Sequence, residues 1–258
     1  MQGALAGVSS ELVLQIVEAA AVVASAIAGM IIASSKRMDL VGTFALACVN
    51  AFGGGTLRDL LLDNRPFYWM ANWWFFVAIL VIAVPFVYSV RVFHLATEMH
   101  RRSVWMDALG LALFTVSGAG IALAHGAPLV VAVLMAVVAG TTGGVLRDIV
   151  VNEIPDLFRP GGLYATASLA GALVFVACLA QAFEYGTAAI AGALIVVALR
   201  VLSVRLGVAM PSPQWAATAG GARASRSRAS AQRALATDSR RHAFGHVEKS
   251  EDRDDVAP

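Results

Sequence analysis

The chain has 258 residues, of which 59% are hydrophobic and 14% charged, with a mean hydropathy of +0.73. That balance is far from a soluble average and places the chain among integral membrane proteins, with no nucleic-acid partner expected. The net charge of +2 says little as a total, so the placement of the charges has to carry the argument.

Crossing the hydrocarbon layer takes about 20 mostly apolar residues in a helix. Seven stretches qualify in chain order: Leu12–Ala33, Leu40–Leu62, Trp73–Val92, Val104–Ala124, Ala127–Val151, Leu163–Phe183 and Tyr185–Leu206. The N-terminus has no Lys or Arg ahead of its first apolar run and carries Glu11 instead, so a cleaved signal peptide is not expected. Pro85 is expected to kink the third span. Cys48 and Cys178 lie in apolar runs and read as small packing residues, not as a disulfide or metal pair.

Lys36 and Arg37 follow span one, Arg101 and Arg102 span three, and Arg159 span five, while Arg200 and Arg205 close span seven. Arg65 stands almost alone on the other side, so the positive-inside rule puts the N-terminus outside and the C-terminus in the cytoplasm. Phe67, Tyr68, Trp69, Trp73 and Trp74 then form an aromatic anchor at the outer interface. After Pro211 the chain turns to Ala, Ser and Arg and then to a run of acids, a composition expected to stay disordered.

One stretch occurs twice. Gly53-Gly54-Gly55-Thr56-Leu57-Arg58-Asp59 is matched by Thr142-Gly143-Gly144-Val145-Leu146-Arg147-Asp148, an offset of 147 − 58 = 89. The same offset carries Glu18 onto Asp107, Gly29 onto Gly118 and Pro66 onto Pro155 without a gap, which marks an internal duplication. Each repeat holds three spans, an odd number, so the second copy runs inverted in the membrane. The fold expected is all-α: residues 12–92 as the first three-helix repeat, 104–183 as the second, inverted one, 185–206 as a seventh helix and 207–258 as a disordered cytoplasmic tail.

Gly53, Gly54 and Gly55 fall mid-span, as do Gly143 and Gly144. Each glycine weakens a helix by about 1 kcal/mol relative to alanine, so spans two and five are expected to break there. The freed carbonyls would then line a cation path. Small residues recur every fourth position, Ala47, Ala51, Gly55 and then Asp59, with Ala136, Gly140, Gly144 and then Asp148 as the twin stripe. Arg58 and Arg147 sit about 100° around their helices from the following acids, so neither is expected to pair with its own Asp. For both arginines a role in holding the break is favoured over one in the filter. Glu18 and Asp107 read either as acids gathering cations at the two mouths or as interface carboxylates near helix N-termini. Asn50 reads as a polar ligand or an interhelical hydrogen bond, and Thr142 as part of the second break.

The run from Phe52 through the three glycines, Arg58 and Asp59 to Leu62, with its second copy, resembles the prokaryotic branch of the trimeric intracellular cation channels. That branch is also known as a duplicated glycine-transporter-domain membrane family. The resemblance covers about residues 12–206. It implies seven helices, a homotrimer in the bacterial inner membrane and one hourglass path per protomer, pinched where helices two and five meet. It also implies passage of monovalent cations, chiefly potassium, with membrane lipid as the other partner and no cofactor or resident metal. Glu18 stands where the first-half motif usually has Asp, and Thr142 replaces the first glycine of the second triplet. The alternative function is a secondary carrier for glycine or a similar small zwitterion. An intramembrane enzyme is not expected, since the spans offer no metal set and no nucleophile–base pair at helical spacing.

Overall fold

The computed structural model describes residues 8–89, 103–159 and 163–206, which form helices joined by short turns. They are α1 (Val8–Ser35), α2 (Leu40–Leu61), the single turn α3 (Tyr68–Ala71), α4 (Trp74–Tyr88), α5 (Ser103–Ala124), α6 (Leu129–Val150), α7 (Tyr164–Ala180) and α8 (Tyr185–Leu206). A 3-10 turn at Asp156–Phe158 links α6 to α7. No strand occurs among the described residues. Helices α1, α2, α5, α6 and α8 are long and apolar enough to cross a membrane, whereas α4 and α7 are shorter, at 15 and 17 residues. The third expected span, Trp73–Val92, starts within one residue of α4, whose helix ends at Tyr88 and holds Pro85 within its last turn. Residues 90–92, Arg101, Arg102 and the tail from 207 lie outside the described residues.

The duplication is written into the backbone. Arg37 and Gly126, 89 residues apart, both have positive φ (55° and 74°), as do Asp63 and Asn152 (50° and 58°). Each ends a helix with a left-handed residue that lets the next amide reach back to an orphan carbonyl. Asn64 N donates to Asp59 O at 2.8 Å, and Glu153 N to Asp148 O at the same distance. Likewise Met38 N donates to Ala33 O at 3.1 Å and Ala127 N to Ala122 O at 3.0 Å.

Four helices make the centre: α1 packs on α2 and α5, and α6 packs on α5 and α2. The buried faces are dominated by small residues such as Ala21, Ala28, Ala47, Ala51, Ala136 and Ala139, which let helix backbones approach closely where lipid gives no hydrophobic drive for association. The outward faces are apolar, with Val81, Val130 and Ile190 all more than 60% exposed. A bundle packed on small residues and greasy outside is built for lipid.

Candidate functional site

The two glycine runs meet. A Cβ on Gly54 would overlap the Ala139 carbonyl oxygen, and one on Gly143 would overlap the Asn50 carbonyl oxygen. These contacts are repeat twins, since 54 + 89 = 143 and 50 + 89 = 139. Residue 50 faces 143 while 54 faces 139, so two equivalent helices cross antiparallel, as a two-fold axis across them requires. The expectation of broken helices is corrected here: helical structure runs without interruption through Gly53–Gly55 in α2 and through Gly143–Gly144 in α6. The glycines let backbones touch, and that packing offsets their poor helix propensity. Nor do these turns offer bare carbonyls: Thr56 donates to Phe52 O, Thr141 to Val137 O and Thr142 to Val138 O, each at 2.7 Å. Asn50 Nδ2 donates to Ser25 O of α1 at 2.6 Å, an interhelical bond at the same level.

One turn beyond the crossing, each helix carries its Arg-Asp pair. Both arginines lie in a last helical turn, where the negative end of the helix dipole favours a cation. Here the structure overturns the second expectation, because each arginine does pair with its own neighbour. Arg58 Nε donates to Asp59 Oδ1 at 2.8 Å, and Arg147 Nε to Asp148 Oδ1 at 2.9 Å. A helical side chain leans toward the N-terminus, and each guanidinium lies beside the glycine three residues earlier. A Cβ on Gly55 would stand 3.8 Å from Arg58 Nη2, and one on Gly144 would stand 3.7 Å from Arg147 Nη2. The arginine arm is long enough to span the roughly 100° between neighbouring positions on the helix.

The matched acids join the same clusters. Glu18 Oε1 lies 2.7 Å from Arg58 Nη2, and Asp107 Oδ1 accepts from Arg147 Nη1 at 2.7 Å. Glu18 is 5% and Asp107 9% exposed, so neither is a free carboxylate at a mouth; each is held by an arginine below the surface. Burial of such charges is tolerable only because they are paired. The second carboxylate oxygens of Asp59 and Asp148 accept backbone amides from Tyr68 (3.2 Å) and Asp156 (3.1 Å), tying each cluster to the loop that follows its helix.

Two cavities reach these clusters, one through Glu18 and the other through Asp107, Arg147 and Asp148. One, of about 620 Å³, is lined by Glu11, Gln15, Glu18, Asn64, Tyr68 and His125 among others. The other, of about 180 Å³, is lined by Asp107, Arg147, Asp148, Glu153, Asp156 and Arg200 among others, and reaches Ile32. Glu18 and Ile32 are 14 residues apart on α1, about 21 Å along its axis, so the cavities lie at opposite ends of the bundle. Ser25 and the α2–α6 crossing sit between them. A third cavity, of about 510 Å³, runs behind the crossing past Cys48, Phe52, Gly53, Thr142 and Leu146, and no charged residue lines it.

At the rim of the smaller cavity, Glu153 takes Lys36 and Arg159 (3.1 Å) as partners. Hydrogen bonds from these cations hold the Glu153 carboxyl below its ordinary pKa, whereas burial beside Asp107 lifts that of Asp156. The Lys36–Glu153 pair puts the turn after α1 and the loop after α6 at one end of the bundle. At the other end the aromatic group divides: Trp69 Nε1 donates to Thr56 Oγ1 at 3.0 Å, while Trp73 and Trp74 stay exposed.

Sequence reasoning missed Tyr164, whose hydroxyl donates to Asp107 Oδ1 at 3.4 Å, and the membership of Arg200 in the Arg147 cluster. Both belong to elements whose partners break the repeat. Phe75 stands 89 residues before Tyr164, and α8 has no twin. The stripe of Ala47, Ala51, Gly55 and Asp59 is buried along its length, as is its twin from Ala136 to Asp148.

A family model described as "Glycine transporter" matches the chain twice, at residues 15–91 and 104–180, again 89 residues apart. The UPF0126 inner membrane protein YadS of Escherichia coli K12 is 38% identical over 153 residues, spanning 58% of this chain and 70% of that protein. A UPF0126 membrane protein of Vibrio cholerae is 29% identical over 191 residues, 72% of this chain and 77% of its own length. Among solved structures, the TRIC trimeric intracellular cation channel orthologue from Rhodobacter sphaeroides superposes with a TM-score of 0.70 at 35% identity, covering 76% of this chain and 99% of its own. A second TRIC cation channel structure gives 0.67 at 30% identity, over 77% and 96%. With the family model covering more than half of the chain and the whole helical core shared with these structures, this protein belongs to the prokaryotic TRIC family, a family of membrane transport proteins and not of enzymes, also described as glycine transporters.

Proposed function

We propose that the protein is a monovalent-cation channel, chiefly for potassium, with its path running between these two cavities through the α2–α6 crossing. The observation that carries this reading is the pair of repeat-equivalent arginine–carboxylate clusters, each reached by a cavity and on opposite sides of one close helix crossing. Exposed acids at the cavities, Glu11 at one and Glu153 at the other, raise the local concentration of cations, while the buried arginine–carboxylate clusters stay paired until the path opens. In the arrangement described here the waist is shut by backbone contact at Gly54 and Gly143. Conduction then requires α2 and α6 to part. Parting would bring the carbonyls of Asn50 and Ala139 to the lumen, where main-chain oxygens suit a desolvated alkali cation.

On this reading the chain is a homotrimer of seven-span protomers, each with its own pore, and residues 12–92 and 104–183 are inverted repeats followed by the helix 185–206 and a cytoplasmic tail from 207. The R. sphaeroides relative is named as trimeric, which supports the assembly. Lys36 and Arg159 lie at one end of the bundle, joined through Glu153, which supports that end as the cytoplasmic one, with the N-terminus outside. The test is single-channel recording of purified protein in planar bilayers. Unitary steps whose reversal potential follows the potassium gradient are expected. Carrier-type glycine uptake without unitary steps would favour the alternative that the family description "Glycine transporter" suggests.

A further inference from the structure

The two clusters are not equal. Among the described residues, Glu18 has one cation beside it, Arg58. Asp107 has two, and the second comes from α8, the helix outside the repeat. Arg200 Nη2 lies 3.5 Å from Asp107 Oδ2 and 3.7 Å from Asp156 Oδ2, and its guanidinium sits over the Tyr164 ring with Cζ 4.5 Å from the centroid. The Asp156 side chain is 40% exposed, Arg200 is 3% and Asp107 10%, so the guanidinium lies between a rim carboxylate and a buried one.

Its contacts are loose. Arg147 meets Asp107 at 2.7 Å and Asp148 at 2.8 Å, whereas both ion pairs of Arg200 are at 3.5 Å or longer. Arg200 Nε is buried with no hydrogen-bond partner. A buried arginine held this way has given up water without full replacement, and it is held by one long hydrogen bond to Asp107 Oδ2, by charge and by the stacked ring. Arg147 and Tyr164 both engage Oδ1 of Asp107, which leaves Oδ2 to Arg200.

We infer that Arg200 is a tethered cation occupying a site for permeant monovalent cations, formed by Asp107 Oδ2 and Asp156 Oδ2 at the floor of the smaller cavity. A potassium ion entering from that end competes with the guanidinium, which swings aside on α8. Among the described residues that line it, the larger cavity has no Lys or Arg, so capture is asymmetric: weak and concentration-dependent from the α8 end, stronger from the other. This rests on the channel reading above and adds to it a residue that sets apparent affinity at one mouth.

The experiment is conductance of the full-length protein in planar bilayers, with potassium varied on one side at a time. For Arg200→Gln, the half-saturating potassium concentration from the Arg200 side should fall about tenfold, the order expected when one nearby like charge is removed at a partly screened site. That from the opposite side should stay within about twofold, and conductance at saturating potassium should change little. Arg200→Lys keeps the charge and should stay near wild type on both sides. Should Arg200→Gln fail to fold, the near-isosteric Arg200→Met carries the same expectation, as apolar replacement of buried ionic groups is often tolerated. Wild-type conductance with neutral variants that leave both half-saturations unchanged, or shift both sides equally, overturns the inference alone. A silent wild-type protein overturns the channel reading first.

Discussion

Asp59 and Asp148, 89 residues apart, hold the same two-sided grip at opposite ends of the bundle. One oxygen of each takes the neighbouring arginine and the other takes a backbone amide of the loop beyond, Tyr68 N or Asp156 N. The acid thus sets both where the guanidinium lies and how the chain leaves the membrane. Replacing Asp59 by Asn keeps the shape and removes the charge. Faster hydrogen exchange at the Tyr68 amide is expected, with the Asp156 amide unchanged, and Asp148→Asn should give the reverse pattern.

The crossing predicts a sharp contrast between adjacent glycines. Gly54→Ala drives a methyl group into the Ala139 carbonyl and should destabilise by about 1–3 kcal/mol, the usual cost of overpacking. At Gly53 the added methyl crowds only the Cδ1 end of Leu146, which can rotate away, and meets Gly143 Cα at an ordinary 3.5 Å. Gly53→Ala should therefore be close to neutral, since alanine is also the better helix former. Thermal unfolding of the two variants in detergent checks this, and equal losses would mean the backbones do not touch at Gly54.

How much of this was legible in the sequence depends on what kind of fact it was. The 89-residue offset was readable because it is a property of order along the chain, and it reappears in the positive-φ pairs Arg37/Gly126 and Asp63/Asn152. The glycine runs were rightly paired in space but wrongly taken as breaks, because propensity alone cannot tell a glycine that unwinds a helix from one that lets another backbone approach. The Arg58–Asp59 pairing was missed because helical angles place Cβ atoms and not the ends of long side chains. Arg200 was missed because nothing local marks a residue whose partners, Asp107 and Asp156, stand 93 and 44 positions away.

Removing one member of a buried cluster should cost far more than removing two. Arg58→Met leaves Glu18 and Asp59 without their cation and should lower stability by about 3–5 kcal/mol, the scale seen when a buried pair is broken from one side. The double replacement Glu18→Gln with Arg58→Met should recover part of that loss. A double-mutant cycle on thermal unfolding measures the coupling, and strict additivity of the two changes would contradict the pairing.

The rim of the smaller cavity gives opposite pH trends for two neighbouring acids. The folded-state pKa of Glu153 is lowered by Lys36 and Arg159, so its stabilising contribution is present above the ordinary value of 4.5 and is lost as pH falls below it. The pair is well exposed, so the wild-type advantage over Glu153→Gln should be only about 0–1 kcal/mol at neutral pH and should vanish in acid. Asp156 is shifted the other way, by burial first, so its contribution is greatest below the ordinary value of 3.8 and is lost as pH rises through its folded pKa. Asp156→Asn should then gain on the wild type between acid and neutral pH. Unfolding midpoints measured from pH 3 to 7 separate the two.

Ions are expected to cross where α2 and α6 touch. The most direct measurement is flux into liposomes containing purified protein, run in parallel with potassium, sodium and labelled glycine. Passive potassium entry that follows its own gradient, with no glycine accumulation, is the expected result. Saturable glycine uptake driven by a sodium or proton gradient, with no independent potassium flux, would contradict it.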